Sequence, residues 1–441
     1  MTTLQLWGRF TRATGPRATD VLSVVAFAFA SAAALMVGAG ILAFWQRTNA
    51  DPMDWIASTT AVLSLVAGAL LLPAIWTLSQ SAVRLAITRR DARLAVLRLT
   101  GATRAQVMGM TLVDTLVQTV AGVVLGIGLY FALVPLISLM PFGGQPFAGG
   151  ELVLHPGLIA IVAGAVVSIA LASALSSLVA VSLSPLGVAQ RVKGARPHLV
   201  RLALIVLVAI VWIAVTTIAD VAPIEMIQQE TWVIFMVIMM ALVGLGIAFV
   251  GPLVMWLIAY IVASFARRAE TLIAARNIMD DPRSAFNAVG PLALGVMAGG
   301  LASLASMFAG MDADQSLVDL TMGAMLTVGI AGVLGAVFAG VSQSARILDI
   351  RDALRTQHLM GMETSVLVSS TMRGSVIPVA TLIGTSVAGT LLLMAPFFGL
   401  LQATATPVLI WLGIVAAAVA LIFVATWIST LLLPAVTRAA R

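Results

Sequence analysis

Residues 79–107 read SQSAVRLAITRRDARLAVLRLTGATRAQV, a compact Arg-rich segment that lies between two long apolar runs. No charged residue occurs from Trp55 to Val83, and the run from Ala105 to Met140 contains only Asp114. A charged side chain at the centre of a bilayer costs at least about 2.5–3.5 kcal/mol, so this segment must lie outside the hydrocarbon. The pattern predicts a hinge between two membrane spans, which we name the first hinge.

The same arrangement returns in residues 342–366, SQSARILDIRDALRTQHLMGMETSV, which we name the second hinge. Three matches align the two hinges: SQSA at Ser79 and Ser342, Arg-Asp-Ala at Arg90 and Arg351, and a closing glycine at Gly101 and Gly361. The offsets are 263, 261 and 260 residues, as small deletions in the second copy would produce. The repeat indicates an internal duplication.

The composition indicates an integral membrane protein. With 61% hydrophobic residues, 10% charged residues and a mean hydropathy of +1.10, the chain is far from the roughly 25% charged composition of soluble domains. The first apolar run is expected to be a retained span and not a removed signal peptide. The isoelectric point near 11.0 is better explained by topology than by nucleic acid, because the basic residues are sorted by loop. The chain has no cysteine, which excludes disulfides and thiolate metal sites.

Dividing the apolar runs into lengths near the roughly 20 residues that cross a bilayer predicts ten transmembrane helices. The predicted spans are residues 21–45, 56–79, 108–138, 157–183, 202–219, 232–262, 286–311, 320–342, 366–395 and 408–433. We therefore expect an all-α membrane protein in which two four-helix units, 1–183 and 266–441, are joined by a two-helix insertion, 184–265. The two units keep the same orientation, as parallel repeats do. Residues 1–17 are predicted to form an amphipathic interfacial helix, the alternative being a floppy basic tail.

Basic residues are strongly biased to one side of this topology. Of the 24 Lys and Arg residues, 22 fall in the segments that would share a side with the N-terminus. The positive-inside rule then places both hinges and both termini in the cytoplasm of a plasma or inner membrane. The outer loops hold nine acidic residues against one Arg, Arg47. These acids are either an attractive surface for cationic substrates or ordinary solvated loop ends.

Two ionisable side chains lie inside predicted spans: Asp114 near the inner end of the third and Arg373 near the inner end of the ninth. The repeat offset of about 260 residues places them at related positions, so we predict an Asp114–Arg373 ion pair near the cytoplasmic mouth. The alternative is that each side chain snorkels to the interface independently.

The sequence contains no catalytic constellation. His155, His198 and His358 fall on different loops and on both sides of the membrane, which makes a histidine metal site improbable. The single lysine, Lys193, is not in the GxxxxGK motif, followed by Ser or Thr, that cradles nucleotide phosphates. We therefore expect no ATP site, no bound cofactor and no enzymatic activity in this chain.

Residues 89–107, RRDARLAVLRLTGATRAQV, resemble the signature of the FtsX-like permease domains of ABC transporters. The shared features are a cluster of basic and acidic residues, a helix with the pattern Leu-Arg-X-Leu, the sequence Gly-Ala-Thr and a further basic residue. The next residues, LVDTLVQTVAGVVLGIGL, resemble the family's following span, with Asp114 as its acid and Gly122 and Gly126 as its GxxxG glycines. That spacing, which recurs at Gly295 and Gly299, also indicates close helix packing. The second copy departs from the signature, because LMGME replaces LTGAT and Arg373 stands near the acid's place.

The resemblance implies that each hinge is a coupling helix seated on a cytosolic ABC ATPase. One chain would then work with two ATPase copies, which would bind the ATP and Mg²⁺. The implied contact residues are Arg89, Arg90, Asp91, Arg93, Leu94, Leu97, Arg98, Leu99, Gly101 and Arg104 in the first hinge, and Arg351, Asp352, Arg355, Leu359 and Gly361 in the second.

The ten-span plan is similar to that of BceB-type permeases. Those proteins, like the MacB and LolC types, carry a large extracytoplasmic domain, whereas the longest outer loop here, Pro141 to Pro156, has about sixteen residues. We therefore predict a permease subunit that exports or extracts an amphipathic, lipid-like or peptide substrate, or that relays motion across the lipid bilayer. The alternative is an ion-coupled secondary transporter, which needs polar groups at mid-membrane. A membrane-embedded lipid enzyme would need clustered His, Asp or Glu, and the sequence shows no such cluster.

Overall fold

The structure, a computed structural model, describes residues 18–50, 104–142, 144–148, 150–183, 251–283, 315–349, 364–394 and 406–430, with scattered positions within 60–83 and 285–296 and at 356. Its helices are α1 (Ala18–Ala50), α2 (Arg104–Ile137), α3 (Pro156–Leu183), α4 (Gly251–Ser264), α5 (Ala269–Asp280), α6 (Gln315–Asp349), α7 (Thr364–Met394) and α8 (Thr406–Thr430). One short antiparallel hairpin pairs β1 (Pro141–Phe142) with β2 (Gln145–Pro146).

Five helices in the described ranges are long and apolar enough to cross a membrane: Asp20–Ala50, Leu112–Ile137, Pro156–Leu175, Met325–Ser344 and Leu409–Thr430. They coincide with the predicted first, third, fourth, eighth and tenth spans. The prediction of an all-α membrane protein is thereby confirmed. The count of ten helices, the repeat and the division into 1–183, 184–265 and 266–441 stay predictions, because long stretches such as 184–250 lie outside the described residues.

Apolar side chains cover the outside of the bundle. Leu136 and Ile161 are 63% and 67% exposed. Such exposure costs roughly 25 cal/mol per Å² in water, a cost that surrounding hydrocarbon removes. Trp45 and Trp427 are about half exposed, each near the C-terminal end of its helix, and amphipathic rings favour the membrane interface.

Helices α1 and α2 run parallel and pack closely at Gly122 and Gly126, a contact that we name the glycine seam. Gly122 of α2 lies against Phe27, and Gly126 lies against Ser31, so the contacts advance by four residues on both helices. A Cβ added to Gly126 would stand 2.0 Å from the Ser31 hydroxyl oxygen and 2.6 Å from the carbonyl oxygen of Ala28. Glycine is the residue that allows so close an approach of two helices. The prediction that this GxxxG pair marks close packing is confirmed.

A parallel α1–α2 pair requires the intervening chain to cross back. The described positions within 60–83 are helical and antiparallel to α1. Gly68 faces Val37 and Ile41 in the second half of α1, whereas Leu78 shares a buried cluster with Phe27 in its first half. This segment supplies the return path that the predicted second span, 56–79, requires.

Helices α6 and α8 form a second parallel pair. Val328 in the first half of α6 shares a core with Trp411 near the start of α8. Further along, a Cβ added to Gly340 would lie 3.4 Å from the Cβ of Ala425. The indole nitrogen of Trp411 donates to the carbonyl of Val296 at 3.0 Å, which ties α8 to the predicted seventh span.

The predicted seventh span also packs closely on α4. The ring of Phe286 occupies the space beside Gly251, where an added Cβ would lie 1.9 Å from a ring carbon, and it also covers Gly290. A side chain at either glycine would displace the ring. The second GxxxG pair, Gly295 and Gly299, lies outside the described residues.

Contacts between α1 and α6 join the two predicted units and define the ends of the bundle. Leu334 and Val341 of α6 share a buried cluster with Ala26 and Ala30 of α1. Met322, near the start of α6, packs instead on the loop that follows α2. Helix α6 is therefore antiparallel to α1. We name the end with the starts of α1, α2 and α7 the inner end, and the opposite one the outer end, following the predicted orientation.

Candidate coupling site at the inner end

The residues expected to contact an ATPase belong to the two hinges, and the described part of the chain contains almost none of them. Outside it lie Arg89, Arg90, Asp91, Arg93, Leu94, Leu97, Arg98, Leu99, Gly101, Arg351, Asp352, Arg355, Leu359 and Gly361. Arg104 is the first residue of α2, although its side chain is not described. These contacts stay predictions. The structure does describe the two helices that leave the hinges, α2 from Arg104 and α7 from Thr364.

The SQSA motif of each copy belongs to the helix that enters the hinge. Helix α6 continues to Asp349, so the helix carries the start of the predicted second hinge. The Ser342 hydroxyl donates to the carbonyl of Ala339 at 3.2 Å, and the Ser79 hydroxyl donates to the carbonyl of Ile75 at 2.9 Å. The hydroxyl of the first serine in each motif is thus bonded within its own helix, and the described residues of both motifs are helical.

The first polar contact at the inner end joins α1 to α2 through Gln118, and we name it the Gln118 junction. The Ser23 hydroxyl donates to Oε1 of Gln118 at 2.6 Å, and Nε2 of Gln118 donates to Oδ1 of Asp20 at 3.1 Å. Gln118 is 6% exposed and Ser23 is fully buried. An unsatisfied amide in this environment would cost several kcal/mol. The junction therefore fixes the register of α1 against α2.

That register shows that α2 extends beyond α1 at the inner end. Because Ser23 lies opposite Gln118, the start of α1 at Ala18 lies level with Val113. Residues 104–112 of α2 therefore project past α1, over roughly 14 Å at 1.5 Å per residue. We name these residues the α2 stalk. The stalk connects the first hinge directly to the glycine seam.

The second polar contact joins α7 to α5, and we name it the Arg373 junction. Nη1 of Arg373 lies 2.5 Å from Oε2 of Glu270 and donates to the Thr271 hydroxyl at 2.9 Å. Helix α5 buries Ala274 and Ala275 and makes its principal helix contact with α7. Helix α5, at the start of the predicted second unit, is therefore held on the helix that leaves the second hinge.

The predicted partner of Arg373 was Asp114, and the structure places Glu270 beside it. Asp114 is half-buried on α2, one turn before Gln118 and level with the start of α1. The Arg373–Glu270 contact balances the charge of Arg373 without a further acid. The Asp114–Arg373 pair stays a prediction.

Sequence reasoning missed five of the residues in these junctions: Asp20, Ser23, Gln118, Glu270 and Thr271. Gln118 carried the clearest signal, because a buried amide within an apolar run needs a partner. Glu270 and Thr271 follow two arginines in the sequence RRAET, residues 267–271. From the sequence alone, Glu270 would be expected to pair with one of those two neighbouring arginines. Only the packing of α5 on α7 brings Arg373 to it.

The outer end is closed by the loop between α2 and α3, residues 138–155, which we name the outer cap. Arg47, in the last turn of α1, contacts Oε2 of Glu151 through Nη2 at 2.7 Å and through Nε at 2.9 Å. The guanidinium also donates to the carbonyl oxygens of Phe142 at 2.8 Å and Pro146 at 3.4 Å, and lies 4.5 Å from the centre of the Phe147 ring. Arg47 therefore contacts four groups of the outer cap: one carboxylate, two carbonyl oxygens and one aromatic ring.

Tyr130 of α2 anchors the cap from the other side. Its fully buried hydroxyl donates to the carbonyl of Leu152 at 2.5 Å and accepts from the backbone N–H of Leu154 at 2.9 Å. Gly144, at φ 74°, forms the tip of the hairpin in a conformation that favours glycine. The outer cap is a small folded element bound to α1 and α2.

A comparison with protein families identifies the segment that contains the first hinge. Residues 80–185 match the family model described as FtsX-like permease C-terminal. The match covers the first hinge from Gln80 onward, all of α2 including Gly122 and Gly126, the outer cap and α3. No curated protein matches the chain.

Residues 80–185 are thus similar to FtsX-like permeases, which supports a role as an ABC transporter permease component. Permeases of this family are membrane subunits that work with ABC ATPase partners and are not themselves enzymes. Together with the five apolar helices, the match indicates a multi-pass membrane protein.

Proposed function

We propose that this chain is the permease subunit of an ABC transporter that couples ATP hydrolysis by two cytosolic ATPase copies to movement at the outer end. The work done there is export or extraction of an amphipathic, lipid-like or peptide substrate, or transmission of motion to a further component. ATP and Mg²⁺ are bound by the ATPase. The proposal extends the family match from residues 80–185 to the whole chain.

The observation that carries the proposal is the continuity of α2 from the first hinge to the outer cap. The α2 stalk leaves the hinge, the Gln118 junction and the glycine seam fix α2 to α1, and Tyr130 and Arg47 fix both helices to the cap. A packed helix pair transmits displacement because it has few voids to absorb it. Force applied to the hinge is therefore expected to move α1, α2 and the cap together.

The second hinge has a different connection. Helix α7 leaves it and is held to α5 by the Arg373 junction. Helix α5 lies next to α4 along the chain, and α4 packs on the predicted seventh span through Phe286 and Gly251. Displacement of the second hinge is therefore expected to reach α4 and α5 through one ion pair and the packing around it.

The polar side chains described within the spans favour this function over ion-coupled transport. Several hydroxyls are bonded to their own helix: Ser31 donates to the carbonyl of Phe27 at 2.7 Å, Thr327 to Gly323 at 2.8 Å and Thr390 to Ser386 at 2.9 Å. Each of these hydroxyl protons is used within its own helix, and the three hydroxyls lie on three different helices, α1, α6 and α7. An ion-coupled transporter needs such groups to converge at mid-membrane.

Co-purification tests the contact. We expect the membrane-extracted chain to retain an ABC ATPase, and we expect Leu99→Glu or Gly101→Ala in the first hinge to abolish the association. Gly150→Ala is the matched control, because its added Cβ would meet nothing within 4 Å in the outer cap. Intact association in both hinge variants would reject the proposed contact. Full transport by the chain with no ATPase bound would support ion coupling instead.

The orientation has its own test. Because the native chain contains no cysteine, single cysteines report sidedness without background labelling. Ala102→Cys in the first hinge is expected to react with a membrane-impermeant maleimide only after the cytoplasmic face is opened, whereas Gly150→Cys is expected to react in intact cells. The reverse pattern would place the hinges outside the cell and remove any access to a cytosolic ATPase.

A further inference from the structure

A groove of about 460 Å³ opens at the inner end, where α4 turns into α5. Its apolar wall includes Ile261, Val262 and Phe265, and its polar side is formed by Arg267, Arg268 and Thr271. The groove therefore combines two positive charges with an apolar surface, just after the end of the predicted sixth span, 232–262.

The acceptor groups near the two arginines are already occupied. Glu270, the nearest acid in sequence, pairs with Arg373, and the Thr271 hydroxyl oxygen accepts from the same guanidinium. Arg267 and Arg268 are exposed, and no acidic side chain within the described ranges forms an ion pair with either. Thr271 keeps its own proton for donation. The side chains on the polar side of the groove, Arg267, Arg268 and Thr271, thus present donors, a set that matches phosphate oxygens.

The apolar wall continues up α4 as an exposed stripe. Phe265 is 81% exposed, and Ile261 and Leu257 lie one and two turns before it on the same face, 45% and 49% exposed. The stripe is about 12 Å long at 1.5 Å per residue. A free phosphate ion would leave this surface uncovered, whereas a lipid acyl chain would cover it.

We propose that this groove binds an anionic phospholipid of the leaflet at the inner end. The phosphate lies between Arg267 and Arg268 with Thr271 as a third donor, and one acyl chain follows Phe265, Ile261 and Leu257. Basic pockets beside membrane spans on the cytoplasmic side suit anionic head groups, which are concentrated in that leaflet. The bound lipid holds α5, and through the Arg373 junction it also holds α7. The site does not depend on which ATPase the chain engages.

Native mass spectrometry of the full chain in a neutral detergent tests the site. We expect dioleoylphosphatidylglycerol to bind more tightly than dioleoylphosphatidylcholine, which has the same acyl chains and a compensating positive charge. Arg267→Gln combined with Arg268→Gln should weaken phosphatidylglycerol binding about ten- to thirtyfold, since each basic residue near the head group contributes roughly 1 kcal/mol. Phe265→Ser should weaken both lipids, because it removes part of the acyl-chain wall.

Arg276→Gln combined with Arg283→Gln is the matched control. Both arginines are exposed in the same basic segment and neither lines the groove, so binding should change less than twofold. If the control variant loses phosphatidylglycerol binding to the same extent, the lipid is attracted by the overall positive charge of the segment and the proposal is overturned. Equal binding of the two lipids would also overturn it, as would displacement of the lipid by millimolar glycerol phosphate, which would indicate a free-anion site. Unchanged melting temperatures in both double variants would show that folding is intact.

Discussion

Two arginine–glutamate pairs lie at opposite ends of this bundle, and they differ in the groups that surround them. Arg47 with Glu151 and Arg373 with Glu270 have similar side-chain exposure, 24% and 29% against 27% and 24%. At the outer end the guanidinium also binds two carbonyl oxygens and an aromatic ring. At the inner end the described contacts of Arg373 are Glu270 and one hydroxyl, both through Nη1.

The contrast shows that an ion pair's role depends on the hydrogen bonds around it. Arg47 is held by several groups at once, so losing any one contact leaves it in place, and the outer cap is fixed to α1. Arg373 depends on a single acid and a hydroxyl, and a partly exposed pair of that kind is worth only about 0–1 kcal/mol. The contact of α7 with α5 at the inner end is therefore expected to break more easily than the contact of α1 with the outer cap.

The largest predicted effect is the loss of stability when Arg47 is replaced, measured against the same replacement at Arg373. Arg47→Met should lower the free energy of unfolding by about 2–4 kcal/mol, because it leaves Glu151 and two carbonyl oxygens without their donor and removes the contact with the Phe147 ring. Arg373→Met should lower it by about 1 kcal/mol or less. Unfolding by SDS in mixed micelles, followed by circular dichroism, measures both. Equal losses would show that the two ends are equally fixed.

The glycine seam connects the two ends, and its replacement should come next in size. Gly126→Ala should cost about 1–3 kcal/mol, because the new Cβ would overlap the Ser31 hydroxyl and the backbone of Ala28. Gly128→Ala, two residues along the same helix, is the control: its Cβ would meet nothing within 4 Å, and alanine is the better helix former by up to about 1 kcal/mol. The same unfolding assay should therefore give opposite signs. If both variants lose similar amounts of stability, close packing at the glycine seam is not the cause.

The helices themselves could be predicted closely from the sequence. The predicted span 157–183 is matched by Pro156–Leu183, and 366–395 is matched by Thr364–Met394. Both succeed because a membrane span is a local property, bounded where charged or turn-forming residues end an apolar run. The predicted second hinge starts at Ser342 because SQSA repeats there, and α6 shows that this start is helical through Asp349.

The pairings at the two ends could not be predicted in the same way. Arg47 was recognisable as the lone outer base, but Glu151 was one of nine outer acids, and only the fold of the cap selects it. Glu270 follows two arginines in sequence and pairs with a third that is 103 residues away. Which polar groups meet across two helices depends on the rotation and depth of each helix, and a hydrophobic pattern contains neither quantity.

A smaller effect should isolate the outer cap. Tyr130→Phe keeps the buried ring and removes the hydroxyl, which leaves the Leu152 carbonyl and the Leu154 N–H without their partner, at a cost of about 1–2 kcal/mol. Hydrogen exchange should become faster in residues 141–154 and stay unchanged in α5. Faster exchange in α5 as well would show that the two ends are not independent, contrary to the contrast between the two arginines.

The smallest effect distinguishes the possible partners of Arg373. A double-mutant cycle with Glu270→Ala and Arg373→Ala should give a coupling energy of about 0.5–1 kcal/mol, since the pair is partly exposed and bonded through one nitrogen. A second cycle with Asp114→Ala and Arg373→Ala tests the pair expected from the repeat. A coupling of similar size there would mean that Arg373 is shared between α2 and α5, so that both hinges act on one charge. Zero coupling in the second cycle would reject the Asp114 pair, and zero coupling in the first would remove the ion pair that connects the second hinge to α5.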